Sequence, residues 1–131
     1  ISLAITNLLR EKKVPVYGEG KNIRDWLFVE DHCEALDQII SVNTGDGSNY
    51  CIGGNAEMTN LEVVRQILKI MGKDESSIEL VPDRPGHDFR YGMSTEKMHQ
   101  EFGWQPKIGF EEGLQKTIQW YQENEKCISQ D

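Results

Sequence analysis

The chain has 131 residues, a net charge of −8 and 37% apolar residues, which describes one soluble globular domain able to bury roughly two thirds of its unfolded surface. Its acidity argues against nucleic acid, which needs a basic face to displace counterions, and its longest apolar runs are too short for a membrane span or a signal segment, which points to the cytoplasm. Cys33, Cys51 and Cys127 are odd in number and widely spaced, so neither a disulfide framework nor a zinc site is expected, and no metal is assigned.

The chain opens at Ile1 inside a helical pattern with no initiator Met, so it is expected to be part of a longer protein. Leu3, Ile5, Leu8 and Leu9 give a helix that ends before Pro15. Val14–Tyr17 follows as a short extended run, and Gly18 to Lys21 as a turn. Ile23 to Val29 alternates as a strand would. Asp25 then either sits at a strand end with a partner or precedes the strand. Glu30 and Asp31 open the next helix, whose buried face is read as Ala35, Leu36, Ile39 and Ile40, ending near Asn43. Residues 44–48 are read as a loop, and Tyr50 to Ile52 as a short buried strand running into Gly53-Gly54.

Thr59-Asn-Leu-Glu62 is a capping box, followed by the apolar stripe Leu61, Val64, Ile67, Leu68 and Met71 and closed by Gly72. Asn60 falls in the first turn of that helix, where free N–H groups and the dipole favour anions. After a strand at Ile78–Val81, Ser94 caps a short helix that stops at Gly103. A last helix from about Phe110 buries Phe110, Leu114, Ile118 and Tyr121, and residues 125–131 read as a frayed tail. Trp26, Trp104 and Trp120 are read as core. Helices alternate with short strands, so the class is α/β or α+β.

The segment Asp83-Arg-Pro-Gly-His-Asp-Phe-Arg-Tyr91 gathers two arginines, a histidine and two carboxylates around a Pro-Gly turn. Pro85 fixes its own φ and Gly86 permits a sharp turn, so Arg84 and His87 are presented from a rigid corner. A guanidinium held that way suits a phosphate or carboxylate. Arg24, Arg84 and Arg90 together would make a positive pocket in an acidic protein. The plain alternative is a surface turn whose arginines pair with Asp83 and Asp88. Tyr17, Arg24, Asn60 and His87 have structural alternatives too: a half-buried core ring, a pair with Asp25 or Glu30, an ordinary helix start, and a residue that satisfies the turn.

Val16 to Trp26, Val29-Glu-Asp-His32, Asn49-Tyr50 with Ile52-Gly-Gly54, Asp83 to Asp88 with Arg90-Tyr91, and Gly103-Trp-Gln-Pro106 occur in an order and spacing that resembles the C-terminal part of dTDP-glucose 4,6-dehydratases, within the extended short-chain dehydrogenase/reductase superfamily. Arg84-Pro-Gly-His-Asp88 selects that branch, whereas the early motif and Gly-Trp-x-Pro are shared with other nucleotide-sugar epimerases and dehydratases. Cys51 stands where the family usually has Asn, and a family tyrosine near the C-terminus has no counterpart. The resemblance implies a Rossmann-type α/β enzyme whose N-terminal part, missing here, holds NAD and every catalytic residue. It implies oxidation of the sugar at C4, loss of water across C5 and C6, and return of the hydride to C6, so this chain alone is expected to be inactive.

By position, the resemblance makes Pro15, Val16 and Tyr17 the border of the nucleobase and Arg24 and Arg84 the diphosphate clamp. It gives Asn60 a bond to the phosphates or ribose and His87 a contact with the nucleotide, with Asp83 orienting the loop or meeting the substrate. Residues 1–131 form the nucleotide-sugar-binding region, and about 30–53 belong to the edge of the missing Rossmann sheet. Full-length relatives of this kind are expected to be homodimers. Cut from that sheet, the strand at 50–52 and the helix before it are expected to self-associate or to lose order. The rival readings are a UDP-sugar epimerase or decarboxylase of the same superfamily, and a non-catalytic nucleotide-sugar-binding module.

Overall fold

The computed structural model describes residues 1–42 and 47–125. Helix α1 (Ser2–Leu9) leads into strand β1 (Val14–Tyr17), followed by β2 (Ile23–Asp25), α2 (Val29–Val42), β3 (Glu57–Thr59), α3 (Asn60–Ile70), β4 (Ile78–Val81), α4 (Glu96–Phe102) and α5 (Phe110–Glu123). Two small sheets organise these elements. β1 pairs in parallel with β4, with Val14 opposite Ile78 and Tyr17 opposite Val81. β2 pairs antiparallel with β3, with Ile23 opposite Thr59 and Asp25 opposite Glu57.

The larger core is where α1, α3 and α5 cover β1. Ala4, Ile5 and Leu8 meet Val14 and Val16, Val63, Val64, Ile67 and Leu68, and Leu114 and Ile118. The amphipathic stripe of α3 supplies its centre, as the sequence pattern requires. A smaller core joins Ala35 of α2 to Met98 of α4 and Trp104. Asp31, only 3% exposed, ties these layers together, because its carboxylate accepts the Ile108 N–H at 3.0 Å.

The capping box is present as read. Thr59 Oγ1 accepts the Glu62 N–H at 3.2 Å and Glu62 accepts the Thr59 N–H at 2.8 Å. Gly103 ends α4 in the left-handed conformation at φ 67°. Several expectations are corrected. The strand expected over 23–29 stops at Asp25, because the Asp25 carboxylate accepts the N–H groups of Gly54 and Ala56 at 3.0 and 2.8 Å and so ends the ladder in a side-chain tie. Residues 50–52 are not a strand. Tyr50 is instead held through its side chain, by a bond to Glu101 at 2.6 Å and an edge contact with Phe102, and Cys51 is exposed.

On α2, Leu36 and Ile40 are 41% and 72% exposed, so only part of the face read as buried is covered. Trp120 is 54% exposed while Trp104 is buried. The cap of α4 is Thr95, and Ser94, one residue earlier, accepts the Glu96 N–H at 3.4 Å. The expected end of α2 near Asn43, most of the 44–48 loop and nearly all of the tail lie outside the described residues.

Gly54 is the position where a side chain is least tolerable: a Cβ there would stand 1.7 Å from the Trp26 carbonyl oxygen, a main-chain atom that cannot yield cheaply. Gly54→Ala should therefore destabilise the chain by about 3 kcal/mol or more. Urea unfolding of both proteins checks this, and an unchanged midpoint would contradict the packing described.

Candidate functional site

The parallel register of β1 and β4 puts the Tyr17 end of one strand beside the Val81 end of the other. The Gly18 N–H donates to the Val81 carbonyl at 2.9 Å, which starts the 83–91 loop directly over Tyr17. Gly18 has φ +56°, and a Cβ on it would lie 3.2 Å from the Asp83 carboxylate, so glycine serves both the turn and the approach. At its far end the loop is stitched to β2: the Ile23 N–H donates to Phe89 and the Tyr91 N–H to Ile23, at 2.8 and 3.2 Å.

Within the loop, His87 Nδ1 lies 2.6 Å from Asp83 Oδ1, and the Arg84 N–H donates to the same oxygen at 2.9 Å. The His87 side chain is only 4% exposed and meets the Tyr17 ring edge-on, with centroids 6.4 Å apart. The Arg84 guanidinium stands 6.0 Å from the centre of the other arm of this corner, the Tyr17 ring. Pro15, Val16, Tyr17 and Asn60 line one cavity of about 140 Å³ under α1 and α3. The structure thus places seven of the eight residues singled out from the sequence in two neighbouring groups that share Tyr17, and leaves the eighth, Arg24, at the loop's far end.

The charges are not arranged as a simple surface turn would have them. Among the described residues no carboxylate is ion-paired with Arg84 or Arg24. Arg24 donates to the carbonyls of Ile23 and Asp88 at 2.6 and 3.0 Å and lies 4.6 Å over the Tyr91 ring. The alternative of a pair with Asp25 or Glu30 is not seen among the described residues, and the Asp25 carboxylate accepts instead from Gly54 and Ala56. Arg90, expected to add to a positive pocket, is spent in a two-pronged pair with Glu57, at 2.8 and 2.5 Å, which raises its pKa further above the usual range. The Tyr91 hydroxyl donates to the Asp88 carboxylate, and this bond holds the phenol above its ordinary pKa.

The helix start is the second correction to the anion reading. The Asn60 N–H is already taken by the Asn22 carbonyl at 2.9 Å, the Leu61 N–H by Gly20 at 3.0 Å, and the Glu62 N–H by Thr59. What α3 offers to a ligand is the Asn60 side chain at the cavity, not its backbone. Sequence reasoning passed over Asn22 and Tyr91. A polar residue placed between a glycine turn and a strand was the available signal for Asn22, and the Arg-Tyr end of the loop for Tyr91. Tyr17 and Lys21 also stand at the Tyr-x-x-x-Lys spacing of a proton-transfer pair, but on a strand and a turn, with Lys21 bound to Glu19 at 2.6 Å, so the spacing does not make a helical pair.

The match to known proteins is extensive. A family model described as GDP-mannose 4,6 dehydratase matches residues 1–117. A dTDP-glucose 4,6-dehydratase of Streptomyces niveus is 48% identical over 124 residues, 95% of this chain and 37% of that protein. The crystal structure of dTDP-glucose 4,6-dehydratase from Bacillus anthracis in complex with NAD is 53% identical, with a TM-score of 0.86, over 95% of this chain and 39% of that one. A UDP-glucose 4-epimerase from Thermotoga maritima, solved with UDP-glucose, aligns over 94% of this chain and 39% of its own, with a TM-score of 0.85 but 25% identity. The chain spans less than two fifths of the length of these relatives, as a C-terminal part of Rossmann-type extended short-chain dehydrogenases.

The hydrogen bond from His87 holds the Asp83 carboxyl below its ordinary value near 3.8, with the Arg84 N–H adding to the effect. A carboxyl whose folded pKa is depressed contributes its stabilisation above the unfolded value and loses it as pH falls through the folded one. The anchor of this loop should therefore hold at neutral pH and release in acid below 3.8. A carbon NMR titration should place the Asp83 midpoint below 3.8 and return it towards that value in His87→Phe; identical midpoints in both proteins would remove His87 as the cause.

Proposed function

The chain belongs to the GDP-mannose 4,6-dehydratase family, and from that premise we propose that it is the nucleotide-sugar-binding part of a dTDP-glucose 4,6-dehydratase. The full enzyme would convert dTDP-glucose to the 4-keto-6-deoxy sugar with loss of water, in the cytoplasm. NAD, bound by residues outside this chain, would supply the hydride exchange.

One observation carries this reading. Among the described residues Arg84 has no carboxylate in an ion pair, and it stands over Tyr17 at a corner fixed by His87 and Asp83, while Tyr17 also lines the cavity with Pro15, Val16 and Asn60. A guanidinium beside an aromatic ring and an amide is the chemistry that holds a nucleoside diphosphate, with the ring face for the base and the planar fork for the phosphates. Arg24 would be the second arm of the clamp, and Asn60 would bond ribose or phosphate. Asp83 orients the loop through His87 and the Arg84 N–H. None of these groups moves protons on the sugar in this reading, so their role is to bind and orient.

Residues 30–53 we assign to the surface that meets the sheet of the longer enzyme, which the exposed apolar positions of α2 support. Among the described residues no helix is long and apolar enough to cross a membrane. The full enzyme would be a homodimer. The chain alone would pair with a second copy through the exposed α2 stripe of Val29, Leu36 and Ile40, not through the sheet edge expected from sequence. Sedimentation velocity at increasing concentration should show a dimer that Ile40→Glu shifts towards monomer. A single monomeric species at all concentrations would rule this out.

Titration calorimetry tests the nucleotide assignment. The chain should bind dTDP in preference to UDP, and Arg84→Ala should weaken binding by about 1.5–3 kcal/mol, the usual worth of a charge-assisted bond. Equal affinity for UDP would favour a UDP-sugar epimerase, the reading that the Thermotoga structure keeps open. Binding unaffected by Arg84→Ala would place the diphosphate elsewhere.

A further inference from the structure

Arg24 rests on two main-chain oxygens, and each of them has another donor that stays when the guanidinium leaves. Nη1 donates to the Ile23 carbonyl at 2.6 Å, which also accepts the Tyr91 N–H at 3.2 Å. Nη2 donates to the Asp88 carbonyl at 3.0 Å, which also accepts Asn22 Nδ2 at 3.2 Å. A carbonyl has two lone pairs and accommodates both donors. An arginine that must turn onto an anion would ordinarily strand the oxygens it had been satisfying, and a stranded oxygen in a half-buried place pulls its segment towards water. Here neither oxygen is stranded.

Asn22 is the side chain that makes this possible on the loop side. It is 7% exposed, and while its side-chain amide holds Asp88 its main-chain carbonyl accepts the Asn60 N–H at 2.9 Å, a bond that any residue here would keep. It therefore bonds the 83–91 loop and the start of α3, the two walls of the site, at once. The next residue, Ile23, fastens the same loop through Phe89 and Tyr91. We propose that Asn22 is a positioning residue: it keeps the 83–91 loop docked while Arg24 exchanges its main-chain bonds for the oxygens of a diphosphate. The diphosphate part of this statement rests on the nucleotide reading above. The latch itself does not.

Removing the Arg24 side chain imitates its departure, so the latch is testable without ligand. Amide hydrogen exchange at Ile23 and Tyr91 should change less than about twofold in Arg24→Ala, because Asn22 still holds the loop. It should rise at least tenfold in the Asn22→Ala, Arg24→Ala double variant, with Ile118 in the main core unchanged. Exchange in the double variant no faster than the product of the two single effects would overturn the proposal. So would an equal acceleration at Ile118, which would make Asn22 a contributor to global stability only. In calorimetry, Asn22→Ala should weaken dTDP about tenfold without a change in thermal midpoint. Local exchange as described, with no dTDP binding by the unmodified chain, would overturn the nucleotide reading and leave the latch supported. Binding of dTDP that Asn22→Ala does not weaken would overturn the latch and leave the nucleotide reading supported.

Discussion

Everything at the site depends on the register of one parallel pair. Because Tyr17 lies opposite Val81, the chain leaving β4 emerges beside the ring that closes β1, and the nine residues that follow have no choice but to cross it. A shift of one residue would send Tyr17 into the α1–α3 core and Val16 to the loop, since strand side chains alternate between faces. The register is held by burial: Val14 and Val16 are both nearly inaccessible beneath α1 and α3. The large core thus does more than stabilise; it fixes which residue meets the arginine loop.

Around that crossing the carboxylates are spent on structure and, among the described residues, none is ion-paired with Arg24 or Arg84. Asp25 holds Gly54 and Ala56, Asp31 holds Ile108, Asp83 holds His87 and the Arg84 N–H, and Glu57 holds Arg90. In a chain of net charge −8 this is a distribution with consequences. Exposed ion pairs add little stability, and these carboxylates are anchored by hydrogen bonds, although Asp83 still feels the charge of Arg84. Local positive character is produced by engaging the negative groups elsewhere, not by adding positive ones.

Much of this could be read from residue order, and what could not has a common cause. The capping box at Thr59, the Pro-Gly corner at Pro85 and the stripe of α3 are local patterns, decided within one or two turns of chain. Asn22 reaches Asp88 across 66 positions, and Arg90 reaches Glu57 across 33; no window of sequence contains either pair. The reading of the α3 start as an anion site failed for the same reason, because Gly20 and Asn22, distant in sequence from Asn60, had already taken its N–H groups. Residues 50–52 failed differently. Their composition suits a strand, but a strand needs a neighbour, and here Tyr50 finds its partners in α4 instead.

The two cores explain why the chain divides as it does between a complete part and one awaiting cover. The α1–β1–α3–α5 core is closed on several sides by apolar residues, and the site is built on its edge. The Ala35, Met98 and Trp104 core is small, holds a buried Trp104 N–H with no acceptor among the described residues, and borders a helix whose Leu36 and Ile40 face outward. A buried donor left unsatisfied and an apolar stripe left wet are both unfavourable. They are tolerable together where a further surface packs against them, and the relatives have more than three fifths of their length beyond this alignment with which to supply one. The binding loop, by contrast, takes its hydrogen bonds from Asn22, β2, Glu57 of β3 and its own residues and, among the described residues, none from that thin core. The geometry of Arg84, His87 and Tyr17 is therefore set by the part of the chain that is already complete.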